Sequence, residues 1–148
     1  MVRLQRETFD VGAELAALTA GRTDIGALAS FVGLVRDHAE TPITAMTLEH
    51  YPGMTEKKLA EIEAAALARW PLQASLIVHR YGRMLPGEPI VLVATASPHR
   101  AAALEACAFL IDWLKTQAPF WKLEETADAS RWVEARGADD EAAARWQR

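Results

Sequence analysis

The chain has 148 residues, with 16 Lys+Arg against 20 Asp+Glu, a formal net charge of -4. That length suits one folded domain spanning 1–148 with a real core, and a composition of 51% hydrophobic and 24% charged residues excludes a disordered chain. A weakly acidic protein lacks the basic surplus on which general nucleic-acid and anionic-membrane binders rely, and no window approaches about 18 uncharged apolar residues. No signal peptide is visible, so a cytoplasmic location is expected. The lone Cys107 sits in the apolar run AAALEACAFLI and reads as a buried small hydrophobe.

In chain order, residues 2–6 alternate weakly as a strand. Asp10 is placed to cap a short helix that turns Leu15 and Leu18 inward. Residues 26–36, GALASFVGLVR, are apolar on both faces, as a central strand covered on both sides would be. Gly33 within that run allows a close approach by another group. A polar loop over 37–42 leads to an alternating strand over 43–51, which Pro52 and Gly53 end. Thr55 is expected to cap the next helix. Its inner face is Leu59, Ile62, Ala66 and Trp70, and its wet face is Lys57, Lys58, Glu61 and Arg69.

Strands follow over 73–82 and 90–96, the latter fully buried. Ser97-Pro98 predicts a helix start, with a hydroxyl cap and proline at the first helical position, running to about residue 117. Residues 120–127 are a last strand, and the Ala-rich tail 128–148 is helical or loose. The order β-α-β-β-α-β-β-α-β predicts an α+β fold: two layers, a mostly antiparallel sheet with helices on one face.

Phosphate-loop, dinucleotide, nucleophile-elbow and zinc-helix motifs are absent. His38, His50, His79 and His99 have no metal-ligand spacing, so no metal and no cofactor is expected. Arg supplies most of the positive charge. Two of the four lysines, Lys115 and Lys122, bracket the segment LKTQAPFWK. Beside Trp113, Phe120 and Trp121 an ammonium would lose hydration, and a neutral amine can serve as base or nucleophile. The bland alternative is that Lys115 favours a helix dipole and Lys122 snorkels from a strand edge. SPHR puts His99 and Arg100 at a helix N-terminus, where they form either an anion seat or an ion pair with a nearby Glu. Arg36 ends a strand beside a loop. His79 and Arg80, adjacent in a strand, point to opposite faces.

Together, FVGLVRDH (31–38), LEHYPGM (48–54), HRYGRMLPGE (79–88), SPHRAAALEAC (97–107) and IDWLKTQAPFWKLE (111–124) resemble the large, catalytic subunits of molybdopterin synthase. The pieces stand in the family's order and span most of the chain. The resemblance implies an α/β hammerhead-type fold and a homodimer that binds a small ubiquitin-like subunit at each end, giving a heterotetramer. It implies sulfur transfer from that subunit's C-terminal Gly-Gly thiocarboxylate to cyclic pyranopterin monophosphate, making the molybdopterin dithiolene. By the same resemblance Lys115 and Lys122 are the active-site lysines, and they also bind substrate together with Arg36, His99 and Arg100. His99 and Arg100 would be lent across the dimer interface. Glu124 would orient Lys122, with Phe31 and Ile111 as further supports. At Ile111 the family also carries methionine, and the stretch after Ala127 matches least. Two other readings remain at this stage. One is a non-catalytic adaptor for a ubiquitin-like tail, and the other a different small phosphate-ligand enzyme.

Overall fold

The computed structural model describes residues 1–133 and 137–147. Its elements run β1 (Val2–Gln5), α1 (Val11–Thr19), β2 (Ala27–Leu34), β3 (Ala45–His50), α2 (Met54–Arg69), β4 (Ala74–Arg80) and β5 (Gly82–Met84). They continue with β6 (Pro89–Ser97), α3 (Arg100–Gln117), β7 (Phe120–Glu125), β8 (Ser130–Val133), α4 (Gly137–Ala144) and a short 3-10 turn, Arg145–Gln147. The strands form two four-stranded sheets, ordered β1-β4-β6-β2 and β5-β3-β7-β8. Every pairing is antiparallel except β1 with β4. The expected α+β class with mostly antiparallel pairing is present.

β6 owes its central place to side chains that are apolar or small on both faces. Val91 and Val93 face α2 and α3, meeting Leu59, Ile62, Ala66, Cys107, Leu110 and Leu114. Leu92 and Ala94 face the other way, with Leu76, Val78 and Phe9, and α1 covers them through Leu15 and Leu18. Helices therefore lie on both faces of the first sheet, where one covered face was expected. A third cluster, Val35, Ile43, Met46, Leu48 and Met84, with Ile90 packed against it, joins the two sheets. Among the described residues no helix is long and apolar enough to cross a membrane.

Asp10 caps α1 as expected, its carboxylate accepting from the Ala13 N–H at 2.9 Å. Three other expectations are corrected. The run 26–36 yields an edge strand rather than a central one: among the described residues β2 pairs only with β6, and Leu28, Phe31 and Leu34 are exposed. Thr55 does not cap α2. Gly53, at φ 85°, holds the N-cap place, and Glu56 accepts from its N–H. The Thr55 hydroxyl is buried instead, accepting from Tyr51 N–H and donating to the Pro119 carbonyl, both at 3.0 Å, which pins the α3–β7 corner to α2. Ser97 does not cap α3 either. It remains in β6 opposite Ala27, and its hydroxyl donates to the Pro71 carbonyl. Sheet pairing thus delays the helix to Arg100, with His99 as the N-cap residue and no side-chain cap bond.

The tail is ordered further than expected. β8 pairs with β7, and α4 packs against α3. Asp112 accepts from Arg145 and from the Trp146 indole, both at 2.7 Å. Residues 134–136 and 148 of the tail lie outside the described residues.

Candidate active site

A cleft of about 1240 Å³ opens between the two sheets. Its floor comes from one face of the second sheet. Alternation along β7 turns Phe120, Lys122 and Glu124 to the cleft. The register places Leu48 opposite Lys122 and Met46 opposite Glu124 on one side, and Val133 and Arg131 on the other. The facing wall is the end of β2, from Phe31 through Leu34, with the loop residues Arg36, Asp37 and His38. The last turn of α3 closes a third side with Leu114, Lys115 and Ala118.

Both lysines, Arg36, Glu124 and Phe31 therefore meet in one cavity. Lys115 and Arg36 are solvent-exposed and make no ion pair among the described residues. Four cationic side chains, Arg36, Lys115, Lys122 and Arg131, face the carboxylates of Asp37, Glu124 and Asp139. Two of those carboxylates are engaged: Asp37 accepts from the backbone N–H of His38 and of Ile43, and Glu124 from His38 and Arg131. What is left suits an anionic guest.

Glu124 is the buried charge of the site, 4% exposed. Burial alone would raise its pKa. The hydrogen bond and charge of His38 and the charges of Lys122 and Arg131 outweigh it and hold the carboxyl below its ordinary value. His79 stands under the end of α3, its ring stacked on Phe120 with centroids 3.9 Å apart and planes at 15°. Burial first, then the Lys115 and His50 charges, lower its pKa to about 4 against the pull of its bond to the Arg80 carbonyl. Arg80 points to the opposite face, as expected, where it donates to the Arg6 and Pro89 carbonyls and pairs with Glu88.

The aromatic surroundings expected for the lysines are different. Trp121 is on the outer face of β7, 43% exposed and packed against Tyr51, while Trp113 packs edge-on against Phe109 behind α3. Period two turns Trp121 away from Lys122, and Trp113 lies two residues before Lys115 on the helix, on another side. Phe120 and Phe31 are the phenyl rings that line the cleft. Ile111 packs against the apolar core rather than lining the cleft, and Leu114 takes the place beside Lys115. His99 and Arg100 are exposed and do not line this cleft. From Arg100 to Lys115 the helix rises roughly 22 Å, at about 1.5 Å per residue. Within one chain the two sets cannot share a ligand the size of a pterin.

Sequence reading missed the roles of His38, Arg131 and His79. His38 appeared there only as a histidine without metal-ligand spacing. Its nearness to Arg36 was the available signal, but its partner Glu124 stands 86 positions away. Among the described residues no group of three or more His, Cys, Asp or Glu could hold a metal ion.

Residues 4–117 match the family described as MoaE protein. The chain is 56% identical over 146 residues to the molybdopterin synthase catalytic subunit of Ralstonia nicotianae, covering 98% of this chain and 83% of that one. It is 55% identical over 147 residues to the subunit of the same name from Pseudomonas aeruginosa, covering 99% and 98%. Among solved structures, the molybdopterin biosynthesis MoaE protein from Burkholderia ambifaria superposes with a TM-score of 0.86 at 55% identity, covering 100% of this chain and 98% of that one.

Proposed function

The chain belongs to the MoaE protein family, and from that membership we propose that its cleft performs the sulfur transfer of a molybdopterin synthase catalytic subunit, with Lys115 and Lys122 as the working amines. The observation that carries this reading is their meeting: α3 and β7 bring one lysine each to a single cavity, beside Arg36. The donor is the thiocarboxylated Gly-Gly end of a small ubiquitin-like subunit. The acceptor is cyclic pyranopterin monophosphate, and the product is the dithiolene of molybdopterin.

A thiocarboxylate is already a good nucleophile, so the protein needs no cysteine of its own for the attack. Cys107 is in fact buried under β6, and burial raises its pKa to about 11. What remains for the protein is positioning, proton transfer and stabilisation of developing negative charge. Lys115, at the open side of the cleft, handles protons or holds an intermediate. Lys122, on the floor, stabilises oxyanions and meets the incoming tail. Arg36 receives the phosphate, for which a guanidinium fork is well shaped. For each sulfur delivered, a carbon–sulfur bond replaces a carbon–oxygen bond on the pterin side chain, whose oxygen leaves as water or stays with the opened phosphate; the bond from sulfur to the acyl carbon breaks, water takes its place, and the carrier leaves as a carboxylate.

His99 and Arg100 enter from a second copy of the chain. β2 supplies the surface for that copy, because its outer edge is unpaired among the described residues and its Leu28, Phe31 and Leu34 are exposed. The assembly is then a homodimer core with a small subunit at each end, working in the cytoplasm. The test mixes purified protein with thiocarboxylated small subunit and the cyclic pterin phosphate and measures dithiolene formation. Turnover is expected, and Lys115→Ala is expected to abolish it while keeping the native circular dichroism and melting temperature. Full turnover in folded Lys115→Ala would overturn the assignment.

A further inference from the structure

On the first-sheet side of the cleft lies a polar group for which the reaction as described has no use, the imidazole of His79. The residue is 5% exposed and continues the row of Ile77 on the face of β4 that α3 covers. Its surroundings fix it from two sides. Nδ1 lies 2.8 Å from the Arg80 carbonyl oxygen, which can only accept, so Nδ1 carries the hydrogen. One ring face is covered by Phe120. The ring is neutral at working pH, because burial disfavours the charged form. A neutral imidazole protonated at Nδ1 has a bare lone pair at Nε2. That atom has no hydrogen-bond partner among the described residues, although the residue borders the cleft.

An acceptor built into a cationic cavity selects for a donor, and Lys115, which lines the same cleft, is the cation whose charge bears most on the ring. Lys115 is exposed at the end of α3, on a flexible four-carbon stem that no ion pair anchors among the described residues. We propose that His79 is a positioning residue for Lys115: once the small subunit's tail fills the cleft, Nε2 accepts a hydrogen bond from Lys115 Nζ and holds the amine over the floor. This rests on Lys115 being the working amine, as argued above. It adds that the amine's place is set by a ring from the other sheet. Phe120 contributes by keeping that ring in plane, which links the strand of Lys122 to the placement of Lys115.

The direct test is nitrogen NMR of the His79 ring in the complex with the small subunit bearing an ordinary carboxylate terminus, comparing the native chain with Lys115→Met. Loss of the donor should move the Nε2 resonance toward that of a free lone pair and leave Nδ1 in place. This readout needs no turnover, so it stands apart from the sulfur-transfer reading. The kinetic test is His79→Phe, which keeps the stack and removes the acceptor. It should lower kcat about tenfold to a hundredfold, as for a misplaced catalytic group, with KM for the small subunit unchanged. His79→Gln, whose amide oxygen can reach the place of Nε2, should recover part of that loss. An Nε2 resonance indifferent to Lys115→Met, or an unchanged kcat in folded His79→Phe, overturns the proposal.

Discussion

His38 Nε2 stands 2.9 Å from Glu124 Oε2, joining the loop after β2 to the far end of β7. Asp37 holds the same loop from within, accepting from the His38 and Ile43 N–H groups. Arg36, one residue further back, therefore sits on a segment fastened at both ends. His38→Ala cuts the fastening to β7 and leaves the loop's own turn intact. A hydrogen bond to a charged group contributes roughly 1.5–3 kcal/mol. The expected result is a KM for the pterin phosphate raised about tenfold or more, with a melting temperature lowered by roughly 3–12 °C. Steady-state kinetics over a range of pterin concentrations checks it, and an unaltered KM would show that the loop stays in place without its latch.

Glu124 itself makes an acid-sensitive contribution to stability. Its folded pKa is depressed below the ordinary value of 4.5, burial being outweighed by His38, Lys122 and Arg131. A carboxyl that binds its proton less readily folded than unfolded stabilises the native state above the unfolded pKa. The benefit is lost as pH falls through the folded value. Glu124→Gln should therefore melt below the native protein at neutral pH, and the gap should close in the acid range below about 4.5. Thermal unfolding across pH 3 to 7 (roughly the carboxylate range and above) reads this directly. A gap constant with pH would mean that packing, not charge, explains the loss.

His79 acts in a different window. Its pKa falls from 6.5 to about 4 on folding. Between those values the unfolded chain holds the extra proton, so stability rises with pH and is fully present above 6.5. About two and a half units correspond to about 3 kcal/mol, lost on going from pH 6.5 to 4. His79→Phe removes this ionisation and keeps the stack on Phe120. Denaturant titrations should show the native protein losing about 3 kcal/mol more than the variant across that interval. Parallel losses would contradict the burial of a neutral ring.

The sequence made the working side of the site legible where local periodicity decides the geometry. Alternation along FWKLE puts Lys122 and Glu124 on one face, and the uninterrupted apolar face of α3 carries Lys115 to the corner before Pro119. What was illegible depends on distant partners. β2 is apolar on both faces, and nothing local distinguishes a strand covered by its own chain from one left open at the edge. SRWV in β8 is short and largely exposed, and takes strand form because β7 offers it a ladder. Ser97 has the chemistry of a cap, but pairing with Ala27 keeps it in the sheet. The His38–Glu124 contact spans half the chain and leaves no trace in spacing.

Gly33 stands where β2 shifts register against β6, and the cleft wall passes over it. A β-carbon there would come within 2.8 Å of Val91 Cγ1, which belongs to a buried, branched side chain 1% exposed. Such a neighbour has little room to yield. Gly33→Ala should cost about 1–3 kcal/mol, the usual range for overpacking. Because the displaced strand also forms the cleft wall, turnover should fall more than stability alone explains at temperatures well below melting. Chemical unfolding and initial rates, measured on the same preparation, separate the two effects.

The distance along α3 makes the dimer testable by complementation. Arg100 and Lys115 lie roughly 22 Å apart on one helix, at about 1.5 Å per residue, so one chain cannot offer both to the same pterin. If each site combines Lys115 of one copy with Arg100 of the other, Arg100→Ala and Lys115→Ala are each inactive as homodimers. Unfolding and refolding them together in equal amounts yields mixed dimers in which one site keeps both residues. Random pairing in a two-fold dimer makes about half the dimers mixed, each with one intact site of two, hence about a quarter of native activity. Native turnover by Arg100→Ala alone, or no recovery from mixtures that demonstrably exchange subunits, would place the phosphate seat wholly within one chain, on Arg36.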